Sequence, residues 1–126
     1  MNASIQFNNV SLSYGDIAEE VEVLKDISFS IDSTEVVSIV GPSGAGKTSI
    51  IMLASGLESA SKGSIQINGK EIVGLKEKEL SEVRRKNIGI VFQSFYLIPN
   101  LTAVENVLLS LEANQQYSLE KDAENL

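Results

Sequence analysis

The stretch "GPSGAGKTSI", residues 41–50, decides the fold, because it places two glycines around four residues directly before a lysine and a threonine. The preceding run "EVVSIV" is nearly continuous in apolar, mostly β-branched residues, which is typical of a strand buried on both faces. The following "KTSIIMLASGL" has the pattern of a helix that Gly56 ends. A strand, the pattern Gly-x-x-x-x-Gly-Lys-Thr and a helix together indicate a phosphate-binding loop in an α/β fold.

Each residue type in this loop suits the binding of phosphate. The glycines at 41, 44 and 46 permit positive φ angles and let backbone N–H groups approach the phosphates, next to the positive end of the helix. Lys47 is predicted to reach the β- and γ-phosphates, and the Thr48 hydroxyl to ligate Mg²⁺. The set predicted to bind nucleotide is Gly41, Pro42, Ser43, Gly44, Ala45, Gly46, Lys47, Thr48 and Ser49. The alternative is a glycine-rich turn that matches the pattern by chance.

The composition limits which functions are open to the chain. With 126 residues it forms one domain at most, and a formal net charge of −7 argues against a general nucleic-acid binder. The sequence contains no cysteine and no histidine, which excludes a thiolate metal site and a histidine base. No apolar run approaches the roughly 20 residues that span a bilayer, and "MNASIQF" lacks the pattern of a signal peptide. We therefore expect any membrane connection to run through a partner.

Four further stretches predict strands. "SIQFNNVSLSY" indicates a half-buried strand with a bulge or bend at Asn8-Asn9, and the alternation of apolar residues resumes from Val21 to Ile31. Ile65 and Ile67 alternate into Asn68-Gly69, which is the strongest short signal for a hairpin. "IGIVFQ", residues 88–93, is predicted to be a second short buried strand.

The remaining periodic stretches predict helices. Residues 76–86 form a charged helix with Leu80 and Val83 on one side and an otherwise solvated face. Thr102 and Glu105 have the spacing of a capping box that opens the helix "AVENVLLSLEA". Ser118 is predicted to cap another helix.

Three stretches together resemble the ATPase subunit of an ATP-binding cassette (ABC) transporter: "VSLSYG", "GPSGAGKTS" and "IGIVFQSFYLIPNLTAVENVLL". The last is similar to the subfamily that drives lipoprotein release and macrolide or peptide export. The resemblance implies a phosphate-loop NTPase fold with an N-terminal antiparallel β subdomain and an incomplete parallel-sheet core, truncated in the helical subdomain. Residues 1–126 would then form the N-terminal portion of a single nucleotide-binding domain.

The resemblance also implies roles for individual residues. Tyr14 matches the aromatic residue that stacks on adenine, although its alternation with Val10 and Leu12 alone favours core packing. Gln93 matches the glutamine that reaches Mg²⁺ and the attacking water, although by pattern it is a polar residue that ends a strand. Lys47 and Gln93 are thus the expected catalytic residues, Thr48 and Gln93 the expected metal ligands, and ATP and Mg²⁺ the expected cofactors.

The expected partners follow from the same resemblance. The apolar loop Phe95–Pro99 would face a transmembrane permease subunit, and a second ATPase domain would complete a homodimer or pseudo-dimer. The location would be cytoplasmic and peripheral, on the inner face of the cell membrane. An acidic insert, "DIAEEVEV", lies beside Tyr14, where it bears on the placement of the aromatic ring over adenine.

The sequence lacks the other parts that hydrolysis requires in this family. It contains no signature loop resembling Leu-Ser-Gly-Gly-Gln, no strand-like apolar run ending in Asp-Glu and no histidine. We therefore expect the chain alone to bind ATP without efficient hydrolysis. Two alternatives stay open: a non-hydrolytic nucleotide-binding or interaction module, and another phosphate-loop enzyme such as a GTPase or small-molecule kinase.

Overall fold

A computed structural model describes residues 3–16 and 18–113 of the chain. It divides into two compact units, Met1–Gly89 and Ile90–Leu126. The helix predicted to begin at Ser118 lies outside the described residues.

The first unit is built on a four-stranded antiparallel sheet. Its strands are β1 (Ala3–Tyr14), β2 (Val21–Asp32), β3 (Lys62–Ile67) and β4 (Lys70–Glu71), in the order β2-β1-β3-β4. This sheet confirms the predicted N-terminal antiparallel subdomain.

Two irregular positions in the sheet were predicted from the sequence. The register of β1 against β2 shifts between Phe7 and Val10, where Asn9 has a φ of 47° and its side chain donates to Asp26 at 2.7 Å. Asn68 and Gly69 both have positive φ, 48° and 77°, as the tight turn between β3 and β4 requires. The bulge and the hairpin are therefore both confirmed.

Three helices complete the described residues. They are α1 (Lys47–Ala54), α2 (Glu77–Asn87) and α3 (Ala103–Ala113), the last of which belongs to the second unit. Helix α1 ends as expected, because Gly56 adopts the left-handed conformation with a φ of 66°. Helix α3 begins with the predicted capping box, in which the Glu105 backbone N–H donates to Thr102 Oγ1 at 3.2 Å.

The core of the first unit lies between the sheet and helices α1 and α2. Leu53 of α1 and Val83 of α2 are buried in it, and Phe7 stacks on Phe29 with ring centroids 4.5 Å apart. Its buried apolar residues are Phe7, Val10, Leu12, Leu24, Leu53, Ile65, Ile67, Ile72 and Val83. The apolar alternation of β1 therefore fixes the face on which both helices pack.

The two strands predicted to be buried are not formed within the described residues. Residues 35–41 and 88–93 have no strand pairing there, and Val36 is 99% exposed and Val91 is 100% exposed. A strand that is buried on both faces needs a neighbouring strand to pair with and layers to cover it. None of the described residues supplies such a neighbouring strand or such layers. The sequence pattern of residues 35–41 and 88–93 therefore indicates that they can form strands, but this part of the chain contains no strand that pairs with them.

Candidate nucleotide-binding site

The predicted phosphate loop, residues 41–49, connects residues 35–40 to helix α1. Gly44 and Gly46 have φ angles of 81° and 88°, which residues with a Cβ rarely adopt. The Ala45 N–H donates to the carbonyl of Pro42 at 3.2 Å and closes the turn. Gly41 does not use the positive φ that glycine permits, so the turn begins after this residue.

Gly46 is also required by close packing. A Cβ at this position would lie 2.7 Å from Leu24 Cδ2 and 3.4 Å from the carbonyl oxygen of Val23. The start of α1 therefore rests directly on β2, at the residue that pairs with Leu12 of β1. The antiparallel sheet fixes the position of the loop in this way.

The N-terminus of α1 offers backbone donors to an anion. The first helical hydrogen bond runs from Ile50 N–H to the carbonyl of Gly46 at 3.1 Å. The N–H groups of Lys47, Thr48 and Ser49 come before it, so the geometry of a helix gives them no acceptor within it. Three donors at the positive end of a helix form an arrangement that binds phosphate.

The Lys47 side chain folds back over the loop. Its Nζ donates to the carbonyl oxygens of Gly41 at 2.7 Å and Pro42 at 2.6 Å. An ammonium group has three donors, so one remains for a ligand once these two are made. The positive charge is therefore already held at the mouth of the loop.

Tyr14 lies at the end of β1 and is not part of the core. Its side chain is 48% exposed, whereas Val10 and Leu12 on the same strand are buried. The interpretation of Tyr14 as an inward-facing strand residue is therefore wrong. Its hydroxyl donates to Glu58 Oε2 at 3.0 Å, and this hydrogen bond, with smaller contributions from burial and the charge of Glu58, raises the pKa of Tyr14.

The other predicted site residues divide between the two units. Thr48 is exposed at the start of α1 in the first unit. Gln93 lies in the second unit, in an exposed stretch between α2 and α3. The first unit alone thus brings together the phosphate loop and the sheet that carries Tyr14.

One feature of the site was not predicted from the sequence. Glu58 contacts Tyr14 across 44 positions of the chain, and Ser61 contacts Ser13 across 48. Neither residue belongs to a short motif. The sequence carries no local signal for either contact, because the partners are far apart in the chain.

Neither a cluster of metal-binding side chains nor a membrane-spanning helix occurs in the part of the chain that the structure describes. Residues 3–16 and 18–113 hold no group of three or more His, Cys, Asp or Glu side chains arranged for a metal ion. None of the helices described is both long and apolar enough to cross a membrane.

The glycine-rich loop, its seat on an antiparallel sheet and the lysine above it define a phosphate-loop protein of the nucleotide-binding class. Comparison with protein families then gives the particular family. The ABC transporter family model matches residues 24–126, and the chain belongs to this family. This match sets aside the GTPase and small-molecule kinase alternatives.

Known relatives extend the comparison. The chain is 43% identical over 109 residues to the bacitracin export ATP-binding protein BceA of Halalkalibacterium halodurans, covering 86% of this chain and 43% of the relative. It is 42% identical over 120 residues to the lipoprotein-releasing system ATP-binding protein LolD of Bacteroides thetaiotaomicron, covering 89% and 53%. The chain thus spans about half the length of the curated relatives it matches.

A solved structure agrees with the fold. The dimeric post-hydrolysis state of the ATP-binding cassette MJ0796, bound to ADP and Pi, superposes with a TM-score of 0.86 at 35% identity. The similarity covers 96% of this chain and 54% of that one. The expected ABC ATPase type of fold is therefore confirmed.

Proposed function

We propose that this chain is the N-terminal portion of an ABC transporter nucleotide-binding domain and that it binds Mg-ATP through residues 41–49. The observation that carries the proposal is the geometry of the loop. Gly44 and Gly46 turn the backbone with positive φ angles, the N–H groups at the start of α1 face no helical acceptor, and Lys47 lies over the loop. These are the donors and the charge that a nucleotide triphosphate requires.

The remaining predicted residues take their roles around this loop. The exposed hydroxyl of Thr48 is suited to ligate Mg²⁺, which neutralises phosphate charge when bound. The exposed ring of Tyr14 would stack on adenine, and base–aromatic stacking contributes about 1–3 kcal/mol. Gln93 would act on Mg²⁺ and the attacking water, the role of the family glutamine that it matches.

Hydrolysis needs groups that this sequence does not supply. The 126 residues contain no histidine and no apolar strand ending in Asp-Glu. We assign binding to this chain and hydrolysis to the complete domain, acting as a dimer of ATPase domains. Exposed apolar residues at 35–41 and 88–93 are consistent with strands whose neighbours lie outside the described residues.

The loop Phe95–Pro99 is the proposed contact with a membrane permease subunit. Phe95 is 90% exposed, and the backbone of Ile98 in this loop is bonded to the Asn106 side chain. The Asn106 Oδ1 accepts from the Ile98 N–H at 2.8 Å, and its Nδ2 donates to the carbonyl oxygens of Ile98 and Leu101 at 3.3 and 3.2 Å. A fixed backbone that presents apolar side chains suits docking onto a partner.

Through that permease the chain would sit at the cytoplasmic face of the membrane and power transport. The names of BceA and LolD concern bacitracin export and lipoprotein release, which supports export over import.

Nucleotide binding tests the proposal directly. Titration calorimetry with Mg-ATP is expected to show binding by the unaltered chain and a Kd at least tenfold weaker for Lys47→Ala, because the charge over the loop is lost. Lys70→Ala is the matched control, since Lys70 is an exposed lysine of the same unit outside the loop. Equal binding by Lys47→Ala, or no binding by the unaltered chain, would overturn the proposal.

A second function has support from the same apolar loop. The Asn106 side chain bonds to the backbone of Ile98 in this loop without any contribution from residues 41–49. A non-hydrolytic interaction module would keep its partner when Lys47 is replaced by alanine. Loss of partner binding in that variant would exclude it.

A further inference from the structure

The segment from Glu58 to Ser61 is attached to the end of β1 at four points. The Tyr14 hydroxyl donates to Glu58 Oε2 at 3.0 Å, and the Ser61 N–H donates to the carbonyl of Ser11 at 2.9 Å. The Ser61 hydroxyl accepts from the Ser13 N–H at 3.0 Å and donates to the Ser13 carbonyl at 3.3 Å. The position of this strand end is therefore set by the loop that follows α1.

The Glu58 carboxylate is itself fixed before it meets Tyr14. Its Oε1 accepts from the Ser59 N–H at 2.9 Å, and the Glu58 N–H donates to the carbonyl of Met52 in α1 at 3.2 Å. One oxygen of the carboxylate is thus occupied by the backbone, and the other faces the phenol. The tyrosine side chain meets an acceptor whose orientation is already determined.

Both ends of α1 therefore contact the same pair of strands. Its start rests on Leu24 of β2 through Gly46, and the loop after its last turn is joined to residues 11–14 of β1. Tyr14 is two residues, roughly 7 Å, along β1 from Leu12, the partner of Leu24. The phosphate loop and the tyrosine are consequently parts of one rigid frame.

We propose that Glu58 and Ser61 are positioning residues that hold Tyr14 as a preformed surface for the base of the nucleotide. The inference rests on the proposed function and adds to it the residues that prepare its base subsite. An exposed tyrosine at a strand end loses side-chain freedom when it stacks on a ligand, and that loss weakens binding. The bond from its hydroxyl to Glu58 restricts the ring beforehand, while Ser61 holds the backbone that carries it.

Two ligands separate the base subsite from the phosphate loop. Mg-ATP uses both, whereas magnesium tripolyphosphate uses only the loop. Glu58→Ala is expected to weaken Mg-ATP binding about threefold to tenfold, the cost of ordering one side chain on binding, and to leave tripolyphosphate binding unchanged. Glu58→Gln keeps an acceptor and is expected to recover part of the loss.

A double-mutant cycle tests whether Glu58 acts through the tyrosine hydroxyl. Tyr14→Phe is expected to match Glu58→Ala, and the double variant to bind Mg-ATP no more weakly than either single variant. Glu58→Ala is also expected to lower the pKa of Tyr14 toward the ordinary value, which the ultraviolet absorption of tyrosinate reports. The Tyr14→Phe variant identifies this transition among the three tyrosines of the chain.

The outcomes distinguish the two proposals. Glu82→Gln, a charge change on the surface of α2, is the control and should alter neither ligand. If Glu58→Ala binds Mg-ATP as well as the unaltered chain, or if tripolyphosphate binding falls equally, Glu58 does not position a base subsite. If the unaltered chain binds neither ligand, the proposed function itself fails.

Discussion

The antiparallel sheet and the two segments 35–41 and 88–93 have similar apolar sequences and opposite environments. Phe7 in β1 is 1% exposed, whereas Val36 and Val91 are 99% and 100% exposed. The strands of the sheet find partners within residues 3–71, including a hairpin closed by two residues. The two segments find no partner within residues 3–16 and 18–113.

The comparison shows that an apolar run allows a segment to be buried, but that burial also requires neighbouring elements that pair with the segment and cover it. Antiparallel strands can be joined by tight turns, but parallel strands require a crossover of a dozen residues or more before a neighbour is available. Strand β1 finds both of its pairing strands, β2 and β3, inside the first unit. Residues 35–41 and 88–93 find no pairing strand within the described residues.

The largest effect is expected in the core of the sheet. Phe7→Ala removes a buried ring that stacks on Phe29, so it should lower the free energy of unfolding by about 3–5 kcal/mol. Val36→Ala removes an exposed side chain and should change the free energy of unfolding by less than about 0.5 kcal/mol. Urea denaturation followed by circular dichroism measures both. If Val36→Ala lowered the free energy of unfolding about as much as Phe7→Ala, the two regions would not differ in burial as described.

Two glycines test how tightly the sheet constrains its backbone. Gly63 has a φ of 92°, and a Cβ there would lie 2.4 Å from the carbonyl oxygen of Asn9. Gly63→Ala must therefore shift the bulge of β1, with an expected cost of about 3 kcal/mol. Gly69 also has a positive φ but open space around it, so Gly69→Ala should cost only about 1 kcal/mol of conformational strain. Equal losses of unfolding free energy for the two variants in urea denaturation would show that Gly63 of β3 does not pack closely against the bulge of β1.

Local signals in the sequence predicted local structure correctly. The Asn68-Gly69 turn, the bulge at Asn9 and the Thr102 cap each depend on residues close in the chain, so their chemistry is visible in a short window. Burial of residues 35–41 depends on distant strands, and the bond between Tyr14 and Glu58 depends on how α1 packs on the sheet. No pattern within a window of ten residues encodes such contacts.

At the phosphate site, too, the sequence predicted the local structure but not the packing of residues that are distant in the chain. The loop was predicted from its own glycines and lysine, and Gly44 and Gly46 use the positive φ angles that glycine permits. The interpretation of Tyr14 as a core residue failed, because strand alternation cannot show that the core ends at Leu12. The family resemblance instead associates Tyr14 with a ligand, which stays a prediction.

Two neighbouring arginines on α2 give a smaller, matched test of packing in the first unit. Arg84 Nη1 donates to the carbonyl of Gly56 at 2.8 Å, at the end of α1, and the side chain also pairs with Glu77. Arg84→Ala should therefore cost about 1–2 kcal/mol, since a hydrogen bond to a charged group is lost. Arg85 pairs only with Glu82 among its described contacts, so Arg85→Ala should give no measurable change in urea denaturation. A loss in Arg85→Ala as large as that in Arg84→Ala would contradict this assignment.

The second unit permits a test of a purely local structure. Thr102→Ala removes the hydroxyl that accepts from the Glu105 N–H and donates to the Glu105 carboxylate at 2.9 Å. Loss of such a cap costs about 1 kcal/mol, and hydrogen exchange of the amides in the first turn of α3 should accelerate accordingly. Ser110→Ala, in the last turns of the same helix, should leave those amides unchanged. Unchanged exchange in Thr102→Ala would mean that the capping box does not hold α3.

The smallest effect is the pH dependence of that cap. The Thr102 N–H, 2.7 Å from Glu105 Oε2, and then the Thr102 hydroxyl hold the pKa of Glu105 below its usual range. Because the folded pKa is lower than the unfolded value of about 4.3, the cap contributes fully above that pH and is lost as the pH falls through the folded pKa. Amide exchange in the first turn of α3 should therefore accelerate as the solution is acidified below pH ~4, after correction for the intrinsic exchange rate. Glu105→Gln should remove this dependence, whereas Glu112→Gln on the same helix should retain it. A pH response that survives in Glu105→Gln would show that groups other than the predicted capping box control the start of α3.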